Sequence, residues 1–112
     1  MVKNYIPDRG DLVWVNFDPT VGHEQAKLRP ALVITPKFYN RKSGMTLVCP
    51  VTSQVRNYPF EIVLVNKKVS GVIRVDQIRS IDWSARNVKY ISKVSEEMMV
   101  EVTEMLASLI LD

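Results

Sequence analysis

The sequence predicts a mainly β fold, a small barrel-like sheet capped by one C-terminal helix. Three observations carry that expectation. Short runs rich in Val, Ile, Leu, Trp and Phe recur from residue 12 to residue 94, separated by Gly, Pro, Asn and Ser turn signals. Apolar spacing of three and four residues is clearest in the last part of the chain, which marks a helix there. The 112 residues, 46% apolar and 24% charged, suffice for one modest core and are too apolar for a disordered chain.

Gly10-Asp11 closes a polar opening, and Leu12 to Phe17 reads as the first strand. Residues 18–30 then form a long connection pinned by Pro19 and Pro30, and it holds His23, Glu24 and Arg29 within seven positions. Connections of that length inside a compact domain tend to be functional. Ala31 to Thr35, between Pro30 and Pro36, reads as a buried strand. Residues 36–44 are polar and basic, with room for a single helical turn before Ser43-Gly44. Met45 to Thr52 is a third strand, in which Pro50 marks an edge or a bulge.

A polar loop over 53–58 leads to a fourth strand, Phe60 to Val65, a turn over 66–71 and a fifth strand, Val72 to Val75. Residues 76–86 stay ambiguous, with Ile78, Ile81 and Trp83 facing a core from irregular structure. Val88 to Val94 reads as a short last strand. Ser95 is the expected N-cap of the helix, with Glu96 and Glu97 complementing its dipole. Met98, Met99, Val102, Met105, Leu106, Leu109 and Ile110 form the stripe that faces the core, the methionines serving as filler.

Charge is uneven. All fifteen Lys and Arg fall in residues 1–93 with seven of the twelve acids, a balance of +8, whereas residues 96–112 carry five acids and no base. A basic body suits phosphate-rich or acidic partners. The one cysteine, Cys49, excludes an internal disulfide, and its apolar neighbours make it a small buried hydrophobe. No apolar leader or membrane-length run is visible, so a cytoplasmic protein is expected. There is no phosphate-cradling glycine loop, HExxH or nucleophile elbow, and one histidine with one cysteine makes a poor zinc set. Neither metal nor cofactor is expected.

One reaction class needs no more than the side chains that remain: RNA cleavage by the substrate's own 2′-hydroxyl. A base takes the 2′-OH proton, a cation stabilises charge growing on the phosphate, and an acid protonates the leaving 5′-oxygen. Glu24, His23 or Asp76 suits the base; Arg29 and Arg74 offer forked donors to phosphate oxygens; Thr52 offers a hydroxyl. Each has a plainer alternative. His23 suits an ordinary surface position, Glu24 and Arg29 suit a surface ion pair, Arg74 and Asp76 at i, i+2 on one strand suit a structural pair, and Thr52 suits a strand residue.

The ordered set Gly10-Asp11-Leu12-Val13-Trp14-Val15, Phe17-Asp18-Pro19-Thr20, Gly22-His23-Glu24-Gln25, Arg29-Pro30-Ala31, Phe38-Tyr39-Asn40, Pro50-Val51-Thr52, Tyr58-Pro59-Phe60 and Gly71-Val72 through Asp76-Gln77 closely resembles the MazF/PemK/Kid ribonuclease toxins of bacterial type II toxin–antitoxin modules. The resemblance spans nearly the whole chain. It implies one toxin domain over residues 1–112 with an SH3-like β-barrel and a C-terminal helix, working as a homodimer. It implies metal-independent, sequence-specific cleavage of single-stranded mRNA that leaves 2′,3′-cyclic phosphate and 5′-hydroxyl ends. It also implies a cognate antitoxin of the MazE or PemI kind, whose acidic, flexible tail occupies the RNA groove.

Two descriptions of the family's site carry over. One gives Arg29, Thr52 and Glu24; the other gives Arg74, Asp76 and His23. Both sets are present, which implies one composite pocket whose base is Glu24 or Asp76. By the same resemblance Phe17, Asn40 and Gln77 are RNA-contacting positions, although Phe17 equally continues an apolar strand into the core. Two rivals remain. A gyrase-binding toxin of the CcdB type has a related fold, but its Trp-Gly-Ile ending is replaced here by Leu109-Ile110-Leu111-Asp112. A catalytically inactive RNA-binding barrel is the other.

Overall fold

The computed structural model describes residues 5–17 and 28–112. His23 and Glu24 lie outside the described residues, and so does most of the 18–30 connection. Strands β1 (Asp11–Asn16), β2 (Leu28–Val33) and β3 (Met45–Thr52) are the long ones. Helix α1 (Lys37–Ser43) links β2 to β3, and a left-handed Gly44, φ +73°, ends it. Then come β4 (Glu61–Val63), β5 (Val72–Arg74), a 3₁₀ turn (Val75–Gln77), β6 (Arg79–Asp82), β7 (Lys89–Lys93) and helix α2 (Glu96–Leu111).

All pairings are antiparallel, in the order β4-β5-β3-β2-β1-β7, with β6 also on β3. Among the described residues no ladder joins β4 to β7, so backbone pairing leaves the sheet open. Strand β3 organises it. One flank pairs with β2; the other pairs with β5 at Val51↔Ile73 and Thr52↔Val72, then with β6 from Val48↔Arg79 to Met45↔Asp82. The 3₁₀ turn is the interruption between these two ladders. Pro50 lies opposite that gap. It sits in an interior strand, where its missing N–H falls at the gap between two ladders rather than at a sheet edge.

Strand alternation divides the apolar side chains between two faces. Leu12, Leu32, Cys49, Val51 and Ile73 face one way and pack with Met98, Val102 and Leu106 of α2. Val13, Val15, Ala31, Val33, Val48 and Ile81 face the other way in a smaller cluster, against which Tyr5, Phe17 and Val88 pack. Ser95 caps α2 as expected: its Oγ accepts the Met98 N–H at 3.1 Å. The stripe is shorter than its pattern. Leu109 and Ile110, expected in the core, are exposed, Ile110 at 76%.

The N-terminal segment is tied down by buried Asp11, which accepts from the Tyr5 hydroxyl at 2.6 Å and pairs with Lys93 Nζ at 2.9 Å. Among the described residues, no helix is long and apolar enough to cross a membrane.

Candidate nucleic-acid interface

The parity that buries Val13, Val15 and Ala31 also sets what lies beyond them on the same face. Phe17 follows Val15 by two residues, Arg29 precedes Ala31 by two, Thr52 follows Val48 by four, and Arg79 precedes Ile81 by two. Arg74 follows Val72 by two, opposite in parity to the helix-facing Ile73. One sheet face, turned away from α2, therefore runs from a small core into an open groove of about 440 Å³. Arg29, Thr52, Arg74, Phe17 and Gln77 all line it, so five of the residues expected at the site meet there.

Arg29 and Thr52 also line an adjoining concavity, together with Leu28, Pro30, Ser53 and Ser70. With Val51 and Gln54 they form the rim that the two hollows share. Arg29 is exposed, and among the described residues no partner holds its guanidinium. Thr52 Oγ1 accepts the Gln54 N–H at 3.1 Å, which leaves its own O–H to donate outward. A Cβ on Gly71, whose φ is +139°, would lie 2.4 Å from the Thr52 carbonyl oxygen, so close pairing beside the rim requires glycine there.

Arg74 is 9% exposed. Its Nε lies 3.8 Å from Glu61 Oε2 and 3.9 Å from Asp76 Oδ1, attraction without hydrogen bonds. Its guanidinium stands 5.0 Å from the centre of the Tyr58 ring. Asp76 belongs to the 3₁₀ turn rather than to the fifth strand, which ends at Arg74; the pair forms across a turn. Asp76 does not line the groove itself but meets it through Arg74, whereas its neighbour Gln77 reaches the wall. Phe17 packs on the smaller cluster, as its place at the end of an apolar strand suggests, and its ring centre stands 5.1 Å from the Arg79 guanidinium.

Asn40 does not join the site. It is fully buried. Its Nδ2 donates to the carbonyls of Pro7 at 2.8 Å and Thr35 at 2.9 Å, and its Oδ1 accepts the Thr35 hydroxyl at 2.7 Å. With those bonds made and no exposed atom, it anchors α1 to the N-terminal segment, and the expectation of an RNA-contacting amide is corrected.

Sequence reasoning did not single out two arginines of the groove or a carboxylate beside it. Arg56 and Arg79 bring the arginines lining the groove to four with Arg29 and Arg74. Glu61 faces Arg74 directly across the β4–β5 ladder. The signal for Arg79 was its alternation with Ile81; the signal for Glu61 was a charge inside an apolar strand. Cys49 is buried, with its thiol pushed up to about 12 by that burial first and by the Asp76 charge second, so it is no nucleophile near neutral pH. Among the described residues no group of three or more His, Cys, Asp or Glu could hold a metal ion.

Fold and groove define a class: a small antiparallel β protein with a C-terminal helix, presenting an arginine-lined cleft on the opposite face. The model of the PemK-like, MazF-like toxins of type II toxin–antitoxin systems matches residues 8–110. The endoribonuclease toxin MazF of Escherichia coli K12 is 50% identical over 97 residues, covering 87% of each chain. The endoribonuclease PemK of Escherichia coli is 40% identical over 108 residues, covering 92% of this chain and 81% of its own. A crystal structure of MazE-MazF from Deinococcus radiodurans superposes with a TM-score of 0.86 at 39% identity, covering 96% of this chain and 98% of that one. The protein belongs to this PemK-like, MazF-like toxin family.

Proposed function

We propose that the protein is an endoribonuclease toxin that cuts single-stranded mRNA at short sequences and is held in check by a cognate antitoxin. The observation that carries this reading is the shared rim: Arg29 and Thr52 stand between two hollows, with Arg74 in one of them. An RNA strand laid across the rim places a phosphate on Arg29 and a nucleotide on either side. Arg29 and Arg74 neutralise the phosphate oxygens as charge grows on them. The Thr52 hydroxyl donates to the same centre. The 2′-hydroxyl attacks the adjacent phosphorus, its proton passing to Glu24 or Asp76, and the 5′-oxygen leaves as its P–O bond breaks and it gains a proton. His23 assists that transfer. The products are a 2′,3′-cyclic phosphate and a 5′-hydroxyl.

Phe17 offers a stacking face and Gln77 an amide to splayed bases. Relatives in this family are named endoribonucleases, and MazE accompanies MazF in the neighbouring crystal structure. By that likeness the antitoxin's acidic tail competes for the arginine groove. A homodimer is supported by the exposed apolar end of α2, Leu109 to Leu111. We read the sheet as the family's SH3-like barrel, with β3 serving ladders on both flanks, and residues 1–112 as one cytoplasmic toxin domain.

The test is to incubate the pure protein with a long RNA in excess EDTA and map the ends. Discrete cuts bearing new 5′-hydroxyl ends are expected. RNA left intact under saturating protein contradicts the nuclease and leaves a binding protein.

A further inference from the structure

One buried carboxylate beside the groove has no part in that reaction scheme. The Glu61 side chain is only 4% exposed. It is paired in register with Arg74, and its Oε2 lies 3.8 Å from Arg74 Nε. Its two oxygens also accept the Arg56 N–H, at 3.2 and 3.1 Å, and Oε1 accepts the Asn57 N–H at 3.0 Å. Asn57 takes a left-handed φ of +59°, and the Glu61 N–H donates back to the Tyr58 carbonyl at 3.2 Å. Residues 56–58 are therefore folded around one carboxylate, and Tyr58 from that turn is the ring beside the Arg74 guanidinium.

Two consequences meet in the groove. Arg56 reaches its wall from the turn that Glu61 holds. Arg74 Nε is the only buried side-chain polar atom among the described residues without a hydrogen bond. Glu61 and Asp76 lie too far away to supply one, so Arg74 is held by charge while a donor still lacks an acceptor. We infer that Glu61 is a positioning residue for two groove arginines at once. It acts on Arg74 through the ion pair and on Arg56 through the backbone of the turn. With its Nε turned toward the two carboxylates, the Arg74 guanidinium is held by charge at the groove wall. This inference rests on the RNA-groove reading above.

The experiment compares kcat and KM on one RNA for the unaltered protein, Glu61→Ala, Glu61→Gln, Arg56→Ala and the Glu61→Ala/Arg56→Ala double variant, with thermal melts alongside. Glu61→Ala is expected to lower kcat/KM about 10-fold, as loss of positioning does. Most of that is expected in KM, and the salt dependence should flatten by about 0.7 in log–log slope as one phosphate contact is lost. Glu61→Gln should recover part, because its amide oxygen still accepts a turn N–H. Glu61→Ala should cost less in the Arg56→Ala background than alone, as coupled residues do.

A folded Glu61→Ala with unaltered kinetics overturns the inference, and so does full additivity with Arg56→Ala. If the alanine variant fails to fold, the glutamine variant decides: reduced kcat/KM with a normal melt supports the role, and unaltered kinetics overturn it. Failure of the groove reading is distinguishable, because Arg56→Ala and Arg29→Ala would then leave cleavage unchanged.

Discussion

Arg29→Ala is expected to lower the cleavage rate by about 10²- to 10³-fold, the range seen when one preorganised transition-state donor is removed. The side chain is exposed on the rim between two hollows, and no described residue pairs with its guanidinium. Stability should therefore move by no more than about 0.5 kcal/mol, as for exposed positions generally. The loss should fall mainly on kcat, because the phosphate carries its extra charge only in the transition state. Arg29→Lys should be intermediate, since an ammonium keeps the charge and loses the fork that spans two phosphate oxygens. Single-turnover cleavage beside a thermal melt checks this. Unaltered rates in a folded Arg29→Ala variant would remove Arg29 from the mechanism.

Asn40→Leu is expected to show the opposite pattern, a large loss of stability with no separate effect on RNA. Substitution strands the Pro7 and Thr35 carbonyls and takes away the acceptor of the Thr35 hydroxyl. Each buried group left unpaired costs about 1–3 kcal/mol, so a total of about 3 kcal/mol or more is reasonable. For a chain of this size that lowers the melting temperature by roughly 12 °C or more. The Trp83 indole N–H donates to the Asn40 backbone carbonyl at 2.9 Å, a bond the leucine variant keeps, so the loss falls on the side-chain bonds alone. Denaturant unfolding checks the size of the effect. A variant with a normal melt and a raised KM for RNA would instead return Asn40 to the interface.

These two residues show what was legible in the sequence. Strong local signals carried well. The β3 strand runs Met45–Thr52 as its apolar run indicated, and Ser95 caps α2 because a hydroxyl followed by two glutamates is a local start signal. Boundaries set by distant partners did not. Strand β2 begins at Leu28 rather than Ala31 because Arg29 and Pro30 pair with Val15 and Trp14 of β1. Residues 76–86 looked irregular because their order comes from β3, which pairs with β6 far away in the chain.

The site followed the same division. Arg29, Thr52 and Arg74 stood out by their chemistry, and only strand register puts them on one face. Glu61 escaped notice because its role depends on lying opposite Arg74 across the β4–β5 ladder. Asn40 carried the right chemistry for RNA, but a fully bonded buried amide and an exposed one are the same letter.

The central claim is that the RNA supplies its own nucleophile and the groove supplies charge and proton transfer. Its most direct test is a short RNA carrying a single 2′-deoxy residue immediately 5′ to the mapped cut, compared with the all-ribose strand. The deoxy strand is expected to bind the protein with similar affinity and to resist cleavage at that position. Cleavage of the deoxy strand at the ribose rate would contradict attack by the 2′-hydroxyl.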